Sequence, residues 1–407
     1  MYTSRVTFHN PVLIAQHMTR WNALFASLLL SAPNVSAAPE TKTPSGKFTG
    51  APSCASTSCH GGGTLHNESL VYERKDRHAV AYGILNKGTS LRIAETLGIK
   101  GNIAADNRCN VCHAPMLGLS SEHFVKDAQP DRGVGCESCH GPAENWLRFH
   151  IRPDVNYQQI LATGMRNLND IYGRANTCVA CHLHLDEDLR KAGHPELYFE
   201  LDGQSLAQPP HYHDSRPSLG PRSWLTGQAA ALRELSWKLA TKPEDSLIPR
   251  WKAVLWLLQK TELGRKALPS ESNYAATQSA ADLLAQKAAQ ELWSNEAVEK
   301  QLSDYVSLYA EFADTKEDKA LLQRKAEVLV PAIDRLWREF KKSGVTDVLP
   351  FESALNTVHM LAMEHEDFDP KKFSGELGRL QLAFAGKTPT PIPNQKPSGK
   401  PDKTNTR

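Results

Sequence analysis

All eight cysteines of this 407-residue chain fall in four pairs, and a histidine directly follows the second cysteine of every pair. The sets are Cys54 and Cys59 with His60, Cys109 and Cys112 with His113, Cys136 and Cys139 with His140, and Cys178 and Cys181 with His182. This is the attachment signature of c-type haem: two thiols add across the vinyl groups of one porphyrin, and the adjacent imidazole takes the iron as proximal ligand. Paired cysteines also make zinc knuckles or disulfides, but neither requires a histidine at that position. Three of the gaps are two residues wide. The first is four, Ala55-Ser56-Thr57-Ser58, and reaches both vinyls only if the chain bulges. Four covalently bound c-type haems are therefore expected, with iron on His60, His113, His140 and His182.

Such haems are attached outside the cytoplasm, so an export signal is expected. Residues 21–38 supply an apolar run ending in the small-residue pattern Val35-Ser36-Ala37, with cleavage after Ala37 or Ala38. Met18-Thr19-Arg20 makes a normal charged leader, and Met18 is the expected translation start, ahead of a periplasmic mature protein. The apolar run is shorter than the roughly 20 residues of a membrane span and is broken by Asn22, Ser27 and Pro33.

The mature length suits two domains. Up to about residue 215 the chain holds every cysteine and most histidines, with frequent Gly and Pro and little periodicity. Here the porphyrins would supply much of the apolar core and regular secondary structure would be sparse. From 216 to 387 the apolar residues recur at helical spacing. The faces are Leu225, Ala229, Leu232, Leu235 and Leu239; Trp251, Val254, Leu255 and Leu258 after Pro249; Ala276, Ala280, Leu283 and Ala288; Val298, Leu302, Tyr305, Tyr309 and Phe312; Leu322, Val328, Ile333, Leu336 and Phe340; and Leu355 to Met363. The expected fold class is mainly α, a multihaem domain over 39–215 followed by an antiparallel helical bundle, with a disordered tail over 388–407. The formal charge of +2 and the lack of a basic stripe give no reason to expect a nucleic-acid partner.

Beyond the proximal ligands and the presequence residues His9 and His17, ten histidines remain: His66, His78, His123, His150, His184, His194, His211, His213, His359 and His365. Sixth ligands are expected from one motif's segment reaching to another's iron. His359 and His365 could cap a haem from the helical half, against the commoner solvated helix histidine.

The run Gly133-Val134-Gly135-Cys136-Glu137-Ser138-Cys139-His140-Gly141-Pro142, with Trp146 and His150, resembles the third haem motif of the tetrahaem cytochrome c-554 family, known from ammonia oxidation. His78-Ala79 and Cys178-Val179-Ala180-Cys181-His182-Leu183 fall in the same order, so the resemblance spans roughly Pro52 to His213. It implies that His150 completes the iron on His60, that His78 completes the iron on His140, and that the haem on His113 has an open sixth position. His123, Met116, His211 and His213 remain rivals for that position. Ala192-Gly193-His194-Pro195-Glu196-Leu197 resembles the distal-ligand segment of larger multihaem relatives and implies His194 as the sixth ligand of the iron on His182.

The resemblance implies electron transfer between redox protein partners, a donor oxidoreductase and an acceptor cytochrome, in nitrogen-compound oxidation. Bis-histidine ligation saturates iron and favours a carrier over an enzyme. The catalytic alternative is reduction of a small N-oxide such as nitric oxide at an open iron on His113. The helical half lies outside the resemblance; covering the haems, dimerising and docking a partner are its candidate roles.

Overall fold

A computed structural model of the chain describes residues 46–63, 66–130, 133–211, 219–269, 273–313, 316–346 and 348–386. The signal segment, the Met18 start, His213 and the tail from 388 lie outside these residues. What is described is almost entirely helical, as the sequence predicts; among the described residues no strand forms, and Phe48 and Phe124 share one isolated bridge. No helix there is long and apolar enough to cross a membrane.

Short helices carry the cysteine motifs. Asp106 caps the helix Asn107–His113 by accepting from Arg108 N, and Asp170 caps Ile171–His182 by accepting from Tyr172 N and Gly173 N. These side chains satisfy first-turn N–H groups that have no partner within the helix. The third motif is itself the helix Cys136–His140. A cysteine at i, another at i+3 and a histidine at i+4 share one helix face, so a helical turn presents both sulfurs and the ring together. The first motif, two residues wider, is not helical. Its loop closes on itself through Cys59 N to Ser56 O at 2.9 Å and His60 N to Cys54 O at 3.1 Å.

Apolar burial is uneven. Among the described residues ahead of 171, the one buried cluster consists of Leu85, Ala94, Ile103, Ala104 and Cys109. The large core begins at Ile171 and continues to Phe384, so the helix Ile171–His182 contributes Ile171, Ala175 and Val179 to the same core as the later helices. The helix Leu219–Thr241 runs through that core, packed on Tyr274–Ala288, on Ile248–Gln259 and on Ile171–His182. Gly227 lets it approach the segment before it: a Cβ there would stand 2.6 Å from Leu201 Cβ.

Most of the expected faces are buried, including Leu225 to Leu239, Trp251 to Leu258, and Leu322, Ile333, Leu336 and Phe340. The third is displaced by one residue. Thr277, Ala281, Leu284, Ala285 and Ala288 point inward, whereas Leu283 is 58% exposed. Alanines surround this helix on every side, so its apolar stripe has no sharp edge to read. Tyr309 and Met363 are likewise largely exposed.

The helix Lys319–Phe340 contains Pro331. Proline has no N–H to offer the carbonyl four residues back, which here belongs to Glu327. That carbonyl accepts from the Tyr198 hydroxyl at 2.8 Å. The repair ties the segment that follows His194 to the C-terminal helices. Arg324 reinforces it by bonding Glu196 at 2.9 Å, as does Arg335, which bonds Glu200 at 2.9 Å and Asp202 at 3.2 Å. Tyr198→Phe should therefore cost about 1 to 2 kcal/mol. In a Pro331→Ala background the same change should cost clearly less, because alanine restores the missing N–H. Urea unfolding of the four proteins measures the coupling, and equal costs in both backgrounds would refute it.

Candidate haem centres

The histidines come together in pairs. The rings of His60 and His150 lie 6.2 Å apart, those of His78 and His182 6.0 Å, and those of His113 and His194 6.3 Å. An iron between two axial imidazoles sits about 2 Å from each ligating nitrogen, with each ring centre about 1 Å further out, which sets the ring centres about 6 Å apart. The interplanar angles of 11°, 85° and 64° all suit that arrangement, because each ring plane contains the ligand axis and is free to turn about it.

All six rings have Nδ1 engaged. His60 Nδ1 lies 3.1 Å from Glu68 Oε2, and His78 Nδ1 lies 2.9 Å from Asp76 Oδ1. Backbone carbonyls meet three others: Ala81 O at His113 (3.0 Å), Trp146 O at His150 (3.0 Å) and Pro195 O at His194 (2.8 Å). A ring that donates from Nδ1 keeps its lone pair on Nε2, the tautomer that a metal takes up, and the partner fixes the ring's orientation. The sixth, His182 Nδ1, stands 3.2 Å from Gln204 Nε2, while Gln204 Oε1 is buried with no hydrogen-bond partner. The same amide nitrogen donates to Tyr198 O at 2.8 Å, which fixes Gln204 beside the ring.

The electrostatics agree. Burial pushes the imidazoles of His113 and His182 down, toward the neutral form that binds metal. His78 moves the other way: its hydrogen bond to Asp76 outweighs burial and raises it. Asp76 itself is buried, which by itself would raise its carboxyl, yet the bonds from the His78 ring, His78 N and Gln208 bring it down to about 2. Burial drives His140 down to about 4, with His211, His60, Arg166 and His150 around it acting in the same sense. His211 Nδ1 faces Pro209 O at 3.4 Å.

Two of these pairings differ from what the family resemblance implies. His78 faces His182 rather than His140, and His194 faces His113 rather than His182. The reason lies in which segments are fastened together. Arg108, in the second-motif helix, bonds Asp188 at 3.1 Å, and His194 N bonds Leu189 O at 3.0 Å, so the Asp188–His194 stretch is carried to the second motif. There Cys181 Sγ lies 3.9 Å from Val111 O, which brings the second and fourth motifs side by side. Of the other candidates, His123 is exposed and bonds Ser120, while His359 and His365 are exposed on the C-terminal helices. His184 packs edge-on against Trp237 at 6.4 Å.

The carboxylates that hold the rings were not singled out from the sequence, although Asp76 stands two residues before His78. Glu137, inside the third motif, was also missed. Its buried carboxylate accepts from Thr49 N (3.0 Å), Gly50 N (2.7 Å) and Ala143 N (2.7 Å), and so ties the chain just ahead of the first motif to the third. Gly50 has φ +81°, and a Cβ there would meet Gln129 O at 2.3 Å. Glu137→Ala would strand three buried N–H groups and should cost about 3 to 5 kcal/mol, read as a lowered urea midpoint. A loss below about 1 kcal/mol would show that water replaces the carboxylate freely.

The residues fit haem better than a metal ion held by side chains alone. No disulfide joins any of the eight cysteines, and among the described residues no group of three or more His, Cys, Asp or Glu could hold a metal ion. A haem iron needs only two protein nitrogens, because the porphyrin supplies four. Trp146 Nε1, beside the His150 ring, and Ser138 Oγ, within the third motif, are buried without hydrogen-bond partners, as donors facing a haem's polar edge would be.

Residues 53–141, which contain the first three motifs, match the family described as cytochrome c554 and c-prime. That description implies haem binding, and the match and the helical fold are consistent with a haem-binding electron-transfer protein. No curated protein and no solved structure matches the chain.

Proposed function

We propose that the chain is an exported tetrahaem c-type cytochrome that relays electrons between a donor oxidoreductase and an acceptor cytochrome in the periplasm. The irons are held by His60 with His150, His113 with His194, and His182 with His78; for the iron on His140 we assign His211, the neighbouring charge that most lowers that ring. The observation that carries this reading is the repeated ring spacing of 6.0 to 6.3 Å in three independent pairs. Each haem supplies a one-electron carrier. The chain's own part is to fill the axial positions, orient the paired rings through Nδ1 and hold the motifs close together, as Cys181 and Val111 do.

The alternative, reduction of a small N-oxide at the iron on His113, requires a clear face opposite that ring. His194 stands there at 6.3 Å, and the saturated relay is favoured accordingly. A role in nitrogen-compound oxidation rests on the family resemblance alone.

The test is the mature protein itself. Its mass should equal the polypeptide plus four haems, its oxidised EPR spectrum should contain only low-spin iron, and its reduced form should bind carbon monoxide slowly or not at all. Three haems, or a high-spin signal near one iron in four, would refute the saturated four-haem relay.

A further inference from the structure

We infer that Asp76 and Glu68 are positioning residues that grade the reduction potentials, making the iron of His113 and His194 the highest of the three ring-paired sites. The inference rests on the ligand pairing proposed above.

A hydrogen-bond acceptor on Nδ1–H draws the proton away from the ring, makes the imidazole a stronger donor and so favours ferric over ferrous iron. An ionised carboxylate does this more strongly than a neutral carbonyl. The three sites differ in this respect. The His182 and His78 pair has Asp76 on one ring, at 2.9 Å. The pair of His60 with His150 has Glu68 on one ring at 3.1 Å and Trp146 O on the other. His113 and His194 have only the carbonyls of Ala81 and Pro195.

Burial separates the two carboxylates. The Asp76 side chain is 6% exposed, against 30% for Glu68, so solvent screens Asp76 less. Asp76 is also held more rigidly, accepting from His78 N at 2.9 Å and from Gln208 Nε2 at 3.2 Å as well as from the ring. The order from lowest to highest potential is then the His182 site, the His60 site and the His113 site. An electron shared among these three comes to rest on the His113 iron, which makes that haem the one from which a partner collects it.

Asp76→Asn and Glu68→Gln keep the shape and an acceptor oxygen but remove the charge. The asparagine also retains the cap on the turn Arg77–Val80, where Asp76 accepts from His78 N. In a potentiometric titration of the full holoprotein, Asp76→Asn should raise one of four midpoints. It should be the midpoint displaced by His78→Ala. Glu68→Gln should raise a different one by less, the one displaced by His150→Ala, and the highest of these three midpoints should be the one that His194→Ala removes. Asp154→Asn, a surface change beside Arg152, should move none. A shift in the low-spin EPR g-values of the same single haem accompanies each ligand-linked change and would not follow from a general loosening of the fold.

Unmoved midpoints in both carboxylate variants, or a highest midpoint that belongs to the His78 or His150 site, overturn the grading. Should Asp76→Asn fail to load haem, Glu68→Gln alone decides through the same two readings. A wild type with fewer than four low-spin haems instead overturns the ligand pairing, so the two failures are told apart.

Discussion

His194→Ala should convert the iron on His113, and His78→Ala the iron on His182, from low-spin to high-spin, each opening about one haem in four to carbon monoxide. The family resemblance leads to a different expectation, in which His194 serves His182 and His78 serves His140. A chain that lacks the fourth haem, through Cys178→Ser and Cys181→Ser, separates the two. With that haem gone, His78→Ala should alter no remaining iron, while His194→Ala should still alter one. The reverse pattern would restore the pairing of the resemblance, and mass spectrometry confirms beforehand that three haems remain. The effect is large because an imidazole is removed outright and alanine offers nothing in its place. The ligand field then changes class instead of shifting by degrees.

Trp337→Ala should destabilise the protein by about 3 to 5 kcal/mol, the usual cost of removing a large aromatic from a packed core. Trp337 is 1% exposed, stacks on Phe351 with ring centres 3.9 Å apart, and leans on Phe340 at 5.9 Å. It thereby joins the helix Lys319–Phe340 to the helix Leu349–Ala362. The same helix holds Glu196, Tyr198 and Glu200 through Arg324, the Glu327 carbonyl and Arg335. A loosened core should consequently be felt at the His194 ring: in mild urea the variant should bind carbon monoxide at one haem before it unfolds, and the wild type should not. A urea midpoint within about 1 kcal/mol of wild type would mean that the site collapses to fill the cavity.

How much of this could be read from the sequence depends on the range of the interaction. The cysteine–histidine motifs are local patterns, and three of the four fall on helices where Cys, Cys and His share a face. The long apolar stripes at Leu225 to Leu239 and Leu322 to Phe340 are legible for the same reason, since a 3.6-residue period needs only neighbours. The last helix, Pro370–Ala385, escaped notice. Its signals are Asp369 as the cap and Phe373, Leu377, Leu380 and Phe384 as the buried face, a period interrupted by polar residues and two glycines. The axial pairings were beyond local reading. Which histidine rings come together follows from Arg108 finding Asp188 and Arg324 finding Glu196, ion pairs between residues far apart in the chain that no spacing announces.

The ring pairs also interlace along the chain. His60 waits for His150, His78 for His182 and His113 for His194, partners that are all about 80 to 100 residues apart. A loop that long costs little more entropy to close than one half its length, so closure is set by the order in which residues arrive. In the exported tetrahaem protein proposed above, the first two motifs would emerge well before the rings that complete them. A haem joined to Cys109 and Cys112 would stay uncapped until His194 had followed, and would be capped firmly only once Arg324, which bonds Glu196, and the helix around it had arrived. Maturation would then have a sequence in time: a nascent chain with reactive, half-ligated irons at its leading end, which would become inert relay sites as the trailing end arrives.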